Sequence, residues 1–257
     1  LDIRYARHIF ILRHATAFLF FWGALVVMYA YASRHFGSRG WALVAVIFLL
    51  LSPRQFGHAF INTRDIPTMM FFLLQMLTLR VFLEKRTVPS ALLHGLTSGL
   101  VLALRVGVLF GVLFTVLFTI LDVLNHWGIK NRAVWAHTFL LLCCWVAATA
   151  LCTVLFWPLL WQDPLQNFLV AAHNMMTSQN NPGGFYFGEH IGEVPWHWVP
   201  VHLLIQTPLL YSGLAITAIG LFCRDFLRGG RSAMRTMFPD LQIVLWLVLP
   251  VITVIAL

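Results

Sequence analysis

The chain has 257 residues, of which 60% are hydrophobic and 10% charged, and its mean hydropathy is +0.83. A water-soluble domain is about half apolar and about a quarter charged, so this composition excludes one; it excludes disorder too, because so apolar a chain can offset its ordering entropy. The formal charge of +8 would suit nucleic acid, but the basic residues stand between apolar runs and no nucleic-acid-binding motif is present, so no nucleic-acid partner is expected and lipid is the solvent.

Apolar runs follow in chain order at 9–33, 41–52, 66–83, 91–121, 134–157, 201–222 and 241–257. Each is expected to be a helix, because only helices and closed barrels satisfy their backbone inside hydrocarbon. The run 91–121 is too long for one span. As a single helix it would measure about 46 Å, against a hydrocarbon core of about 30 Å, with Arg105 buried at its middle. Folding back at Arg105 gives two short spans and eight in all.

The distribution of charge favours that fold-back. With it, one face collects eleven basic residues: Arg34, Arg39, Arg80, Lys85, Arg86, Lys130, Arg132, Arg224, Arg228, Arg231 and Arg235. The other holds six: Arg4, Arg7, Arg13, Arg54, Arg64 and Arg105. A single span would reverse every later loop: the first face would keep five of these residues, the second would gain Lys130, Arg132 and the four arginines of 224–235, and Arg105 would be left inside the span. The richer face is therefore expected to be cytoplasmic. Gly95 with Gly99, and Gly107 with Gly111, add small residues at the spacing that lets helix backbones approach, and are expected to join the two arms.

The 158–200 segment contains no Lys or Arg, five prolines and the carboxylates Asp163, Glu189 and Glu193. Pro182-Gly183-Gly184 reads as a turn, and 164–179 as a short helix lying at the membrane interface. A single membrane domain over 1–257 is expected, with 158–200 as an extracytoplasmic loop inside it. The four cysteines, Cys143, Cys144, Cys152 and Cys223, fit small buried hydrophobes without disulfides. Leu1 is not Met and Leu257 falls within an apolar run, so an excerpt of a longer protein is expected.

Polar residues that could carry chemistry concentrate in the outer loop Ser52–Pro67. Asp65 stands directly before a helix, with His58, Asn62 and Arg64 nearby. Asp65 could simply cap that helix, with Pro67 in its first turn; a cap does not explain the other three. Arg105, at the tip of the fold-back, could snorkel to headgroups, or its planar fork could grip a phosphate. Arg4, Arg7 and Arg13 on the cation-poor side favour an anionic ligand there. Trp157, Trp161, Phe185, Tyr186, Phe187, Trp196 and Trp198 could anchor the interface or offer a platform to a sugar or lipid chain. His190, Glu193, His197 and His202 match no zinc spacing, and no nucleotide-binding motif appears, so no cofactor is expected and a divalent metal has no support.

Four stretches together resemble bacterial GT-C glycosyltransferases of the protein mannosyltransferase-like type (family 39). They are Leu51-Ser52-Pro53-Arg54 through Asn62-Thr63-Arg64-Asp65-Ile66-Pro67; Ala103-Leu104-Arg105-Val106; Trp157-Pro158 through Trp161-Gln162-Asp163-Pro164; and Gly188-Glu189 with Val194-Pro195-Trp196-His197-Trp198-Val199-Pro200 and Thr207-Pro208. The resemblance implies an all-α multi-pass enzyme of the bacterial inner membrane, working on the extracytoplasmic face. It would move a sugar from a polyprenyl-phosphate donor to an unidentified acceptor, with membrane lipid as its surroundings. Asp65 then looks like an acidic catalytic residue, and Arg105 like the basic residue of the phosphate site. Arg64, Asn62, His58, Arg7, Asp163 and Glu189 are the further substrate-binding candidates. The family's main catalytic carboxylate lies on a first outer loop that would precede Leu1, and Asp2 does not match it. A transporter or flippase for a lipid-linked or anionic substrate is the alternative, although no internal repeat supports it. A non-catalytic scaffold would leave the arginines and the Asn62–Asp65 group unexplained.

Overall fold

A computed structural model of the chain describes residues 3–126, 128, 131–178, 184–191 and 195–256. Leu1, Asp2, Lys130, Pro182, Gly183, Glu193, Val194 and Leu257 lie outside the described residues, as do the side chains of Arg4, Phe185 and Arg231. The described chain is all-α apart from one two-stranded hairpin. Its helices are α1 (Ile3–Phe36), α2 (Arg39–Leu50), α3 (Pro53–Ile61), α4 (Asp65–Lys85), α5 (Val88–Leu104), α6 (Phe110–His126), α7 (Arg132–Phe156), α8 (Pro164–Ser178), α9 (Trp198–Gln206), α10 (Leu209–Thr236) and α11 (Phe238–Ala256). Single 3₁₀ turns at Val106–Leu109 and Pro158–Trp161 precede α6 and follow α7.

Among the described residues, five helical stretches are long and apolar enough to cross a membrane, or six if α2 and α3, bent by 64°, form one span. Eight spans were expected. The difference has local causes: α2 ends just before Ser52-Pro53, and the apolar helices Val88–Leu104 and Phe238–Ile252 are short. Many large apolar side chains point outward, among them Leu151 at 72% and Leu209 at 88% exposure. Contiguous apolar surface of this kind belongs against lipid. The cysteines are all free, but only Cys152 is buried, while Cys143 and Cys223 are exposed. A helix bathed in lipid has no need to hide a thiol.

The described residues form two compact units. The first comprises 1–119 and 131–162. In it α1 packs on α2, α3 and α4; α4 packs on α5; and α5 packs on α7. Phe21, Leu25, Ala59 and Ile66 form a buried cluster at the junction of α1, α3 and α4.

The chain does fold back at Arg105. This residue is extended (φ −157°, ψ 114°) and ends α5. His94 Nε2 lies 2.8 Å from Thr115 Oγ1 although the two are 21 residues apart. In a continuous helix they would be separated by about 31 Å. The glycines, however, join a different pair of helices. A Cβ on Gly95 would sit 2.5 Å from Ala148 Cβ, and one on Gly99 would sit 2.5 Å from Cys152 Cβ, so both glycines face α7. Gly111 leaves room for the Gln75 amide of α4. The small-residue spacing signalled close approach correctly and the partner wrongly, because spacing says nothing about which helix comes near.

Polar residues that span counting passes over are gathered among α4, α5, α6 and α7. His94, fully buried, lies with its ring stacked between Phe82 and Trp145 at 5.9 and 6.0 Å. Its Nδ1 is 3.0 Å from Thr78 Oγ1, which is 2.8 Å from Thr97 Oγ1. Ser98 Oγ receives bonds from Gln75 Nε2 (3.1 Å) and Trp145 Nε1 (3.2 Å). These bonds offset much of the cost of burial away from water, although Gln75 Oε1 is buried with no hydrogen-bond partner among the described residues.

The second unit comprises 120–130 and 163–257. Asp163 opens α8, its Oδ1 accepting from Gln166 N–H at 3.2 Å. Strands β1 (Gly184–Tyr186) and β2 (Glu189–Ile191) pair antiparallel, Tyr186 opposite Glu189. Their two-residue turn, Phe187-Gly188, has both φ values positive (51° and 88°), the backbone that matches strand twist in tight hairpins. The expected span 201–222 is interrupted. Pro208 lacks an N–H and holds Thr207 extended (φ −102°, ψ 129°), so α9 stops and the apolar helix Leu209–Gly230 starts afresh. That shift brings Arg224 into the helix, where it pairs with Asp225 at 2.7 Å.

Candidate functional site at the Asn62–Arg105 rim

The loop between α3 and α4 is organised by Asn62. Its Oδ1 accepts from Arg64 N–H at 3.2 Å and from Asp65 N–H at 2.8 Å, closing an Asx-type turn over the start of α4. Asn62 therefore performs the capping that the sequence allowed for Asp65, which is the first residue of α4 and makes no cap bond. Its carboxylate, favourably placed in the first turn of a helix, is left for other partners. Asn62 Nδ2 donates to Asp65 Oδ2 at 2.9 Å and lies 3.2 Å from His58 Nδ1.

The second partner comes from the fold-back. Arg105 Nη1 forms an ion pair with Asp65 Oδ1, bringing together two residues 40 apart in sequence. The remaining guanidinium N–H groups of Arg105 have no partner among the described residues. Both side chains are about half exposed, at 46% for Arg105 and 52% for Asp65, so the pair is open to a ligand. Exposure also means that it adds little stability, about 0–1 kcal/mol.

Helix α1 closes one side of the loop. Arg13 Nη2 donates to Thr63 Oγ1 at 3.4 Å, and His14 bonds the Phe60 carbonyl through Nδ1. Sequence reasoning included Arg13 as an outer cation but not His14; nothing in the local pattern distinguishes it. The Arg64 side chain is exposed, whereas its backbone joins the Asn62 turn. Arg7 is exposed and lies about 9 Å further along α1 than Arg13, so it stands apart from the ion pair's immediate contacts. At the opposite end of the first unit Arg80 reaches the Arg34 carbonyl (3.2 Å) and Glu84 (2.9 Å), while His137 Nε2 meets the Arg86 carbonyl (3.0 Å). Within the first unit, Arg13, Arg64 and Arg105 thus stand at one end of the helices and Arg34, Arg80 and Arg86 at the other.

Asp163 and Glu189 belong to the second unit. Asp163 is occupied as a cap, and Glu189 is exposed on β2. In the same unit His202 stacks on Trp198 at 4.0 Å, and Tyr186 lies 5.7 Å from His197 and 6.2 Å from His202. Phe187 and Trp196 are among the most exposed aromatics, at 76% and 71%. No group of His, Cys, Asp or Glu that could hold a metal occurs among the described residues.

The all-α fold and its long apolar helices are consistent with an integral, multi-pass membrane protein. No family model, no curated protein and no solved structure matches the chain.

Proposed function

We propose that this chain is part of a membrane glycosyltransferase that takes a sugar from a polyprenyl-phosphate donor at the rim formed by Asn62, Asp65 and Arg105. The supporting observation is the Asp65–Arg105 pair itself. It joins a carboxylate and a permanently charged planar fork at a helix end, and both remain open. The transfer needs these two groups. The acceptor hydroxyl attacks the anomeric carbon while its proton passes to the Asp65 carboxylate, and the bond from the anomeric carbon to the phosphate oxygen breaks. Negative charge then grows on the departing lipid phosphate, where the unpartnered N–H groups of Arg105 would stabilise it more than they stabilise the bound donor. Asn62 holds the carboxylate in place from its other oxygen.

Eight spans suit this function. The described residues hold five helices long and apolar enough to cross, six with the bent pair α2–α3; the proposal takes the two shorter apolar helices as the remaining spans, and the charge asymmetry would put the rim outside the cytoplasm. The intact protein should be assayed with a panel of polyprenyl-phosphate sugars. Arg105→Ala is expected to lower transfer by about 10²- to 10³-fold, the loss typical for one preplaced charge-stabilising donor, without loss of membrane insertion. Unchanged turnover in that variant would exclude the phosphate role. A transporter is the second reading, favoured by the buried polar group around His94. It predicts that substrate flux into sealed vesicles, and no sugar transfer, depends on these residues.

A further inference from the structure

We infer that the second unit carries a binding site for an anionic phospholipid at the basic end of α10, independent of the transferase proposal. The apolar part of α10 ends at Gly230, where the backbone turns through φ 53°, ψ −136°. That conformation is essentially confined to glycine. The bend opens a groove of about 960 Å³ between the two parts of α10 and the end of α6. Its walls are largely apolar, with Leu121 and Leu124 on one side and Phe226, Leu227 and Met234 on the other. Leu227 is 80% exposed.

Among the described residues, one charged side chain lines this groove, Arg235. Arg235 Nε donates to the Asn125 carbonyl at 3.1 Å, and Asn125 Nδ2 donates in turn to the Met234 carbonyl at 2.9 Å. The guanidinium is thereby fixed through Nε, and its two terminal nitrogens have no partner among the described residues. Such a fork suits two oxygens of one phosphate. Arg224, Arg228 and Arg231 precede it on the same helix. The acids nearby in sequence are engaged: Asp225 with Arg224, and the largely buried Asp122 with His126 at 3.0 Å.

The two halves of the site call for a ligand with two halves. An apolar groove at the edge of a membrane-spanning stretch fits an acyl chain, and a fixed cation fits a phosphodiester of net negative charge. A free anion would leave the groove unfilled, and a zwitterionic lipid would set its own cation against the arginines. Each arginine near a membrane surface favours an anionic lipid by about 1 kcal/mol, so a preference of about fivefold is expected from Arg235 alone.

The test titrates the full chain in detergent with dioctanoyl phosphatidylglycerol and dioctanoyl phosphatidylcholine, reading bound lipid by native mass spectrometry. Phosphatidylglycerol should bind about fivefold more tightly, and Arg235→Gln should abolish the preference. Leu227→Glu, on an exposed position that leaves Arg235 in place, should weaken phosphatidylglycerol binding by repulsion inside the groove. Equal binding of the two lipids by the unaltered chain would overturn the inference. So would a preference that survives both substitutions, or displacement of the lipid by inorganic phosphate at equal concentration. If Leu227→Cys in the native membrane resisted maleimide until the protein was denatured, polypeptide rather than lipid would fill the groove, and the site would be rejected.

Discussion

Replacing Gly99 by alanine tests the close packing on which the arrangement of the first unit depends. The added Cβ would lie 2.5 Å from Cys152 Cβ and 2.7 Å from the Thr149 carbonyl oxygen. Carbon contacts are normally about 3.5–4.0 Å, and neither atom is the free end of a flexible side chain, so α5 and α7 must separate by about 1 Å. That movement loosens contacts along the whole interface. It also lengthens the bonds from Cys152 Sγ to the Leu96 carbonyl (3.3 Å) and from Thr153 Oγ1 to the Gly99 carbonyl (3.4 Å). Overpacking costs about 1–3 kcal/mol, and weakening these bonds adds about 0.6 kcal/mol each in a membrane protein. Alanine's better helix propensity returns about 1 kcal/mol. The net expectation is a loss of about 1–3 kcal/mol. Denaturant-induced unfolding of the purified protein in mixed micelles, followed by tryptophan fluorescence, measures it against Gly57→Ala as control. A Cβ on Gly57 meets nothing within 4 Å, so that variant should be neutral or slightly stabilised. If Gly99→Ala unfolded no more easily than Gly57→Ala, the α5–α7 contact would not be as close as described.

Asn62→Ala removes the turn's acceptor and the bond to Asp65 together, and should cost about 1–2 kcal/mol in stability, while Asn62→Asp keeps the acceptor and should cost less; comparing their unfolding midpoints separates capping from the lost side-chain bond. Under the transferase proposal, Asp65→Asn should abolish transfer with little change in unfolding midpoint, since the exposed ion pair contributes at most about 1 kcal/mol; retention of transfer would remove Asp65 from the mechanism. His94→Leu deletes both ring hydrogen bonds but fills most of the space. Thr78 and Thr115 keep their bonds to the carbonyls of Gln75 and Gly111, so this variant should lose about 1–2 kcal/mol, against about 3 kcal/mol or more for the cavity-forming His94→Ala. Equal losses in the two would mean that packing between Phe82 and Trp145 contributes nothing.

Composition by itself pointed to lipid as the solvent and to helices in the long apolar runs. A chain this apolar can satisfy its backbone in lipid only with itself, so the long runs around α1, α4 and α7 were legible as helices. The turn at Arg105 was legible too, because helix length and charge placement both oppose a single span. These properties follow from each segment and its surroundings alone. Tertiary structure decided what meets what. That Gly95 and Gly99 approach α7, that Thr78, His94 and Thr115 complete one another's hydrogen bonding, and that Asn62 frees Asp65 to face Arg105 all depend on side chains far apart in sequence. A polar residue inside an apolar run looks the same whether it finds a partner or not, and only the packed helices reveal which.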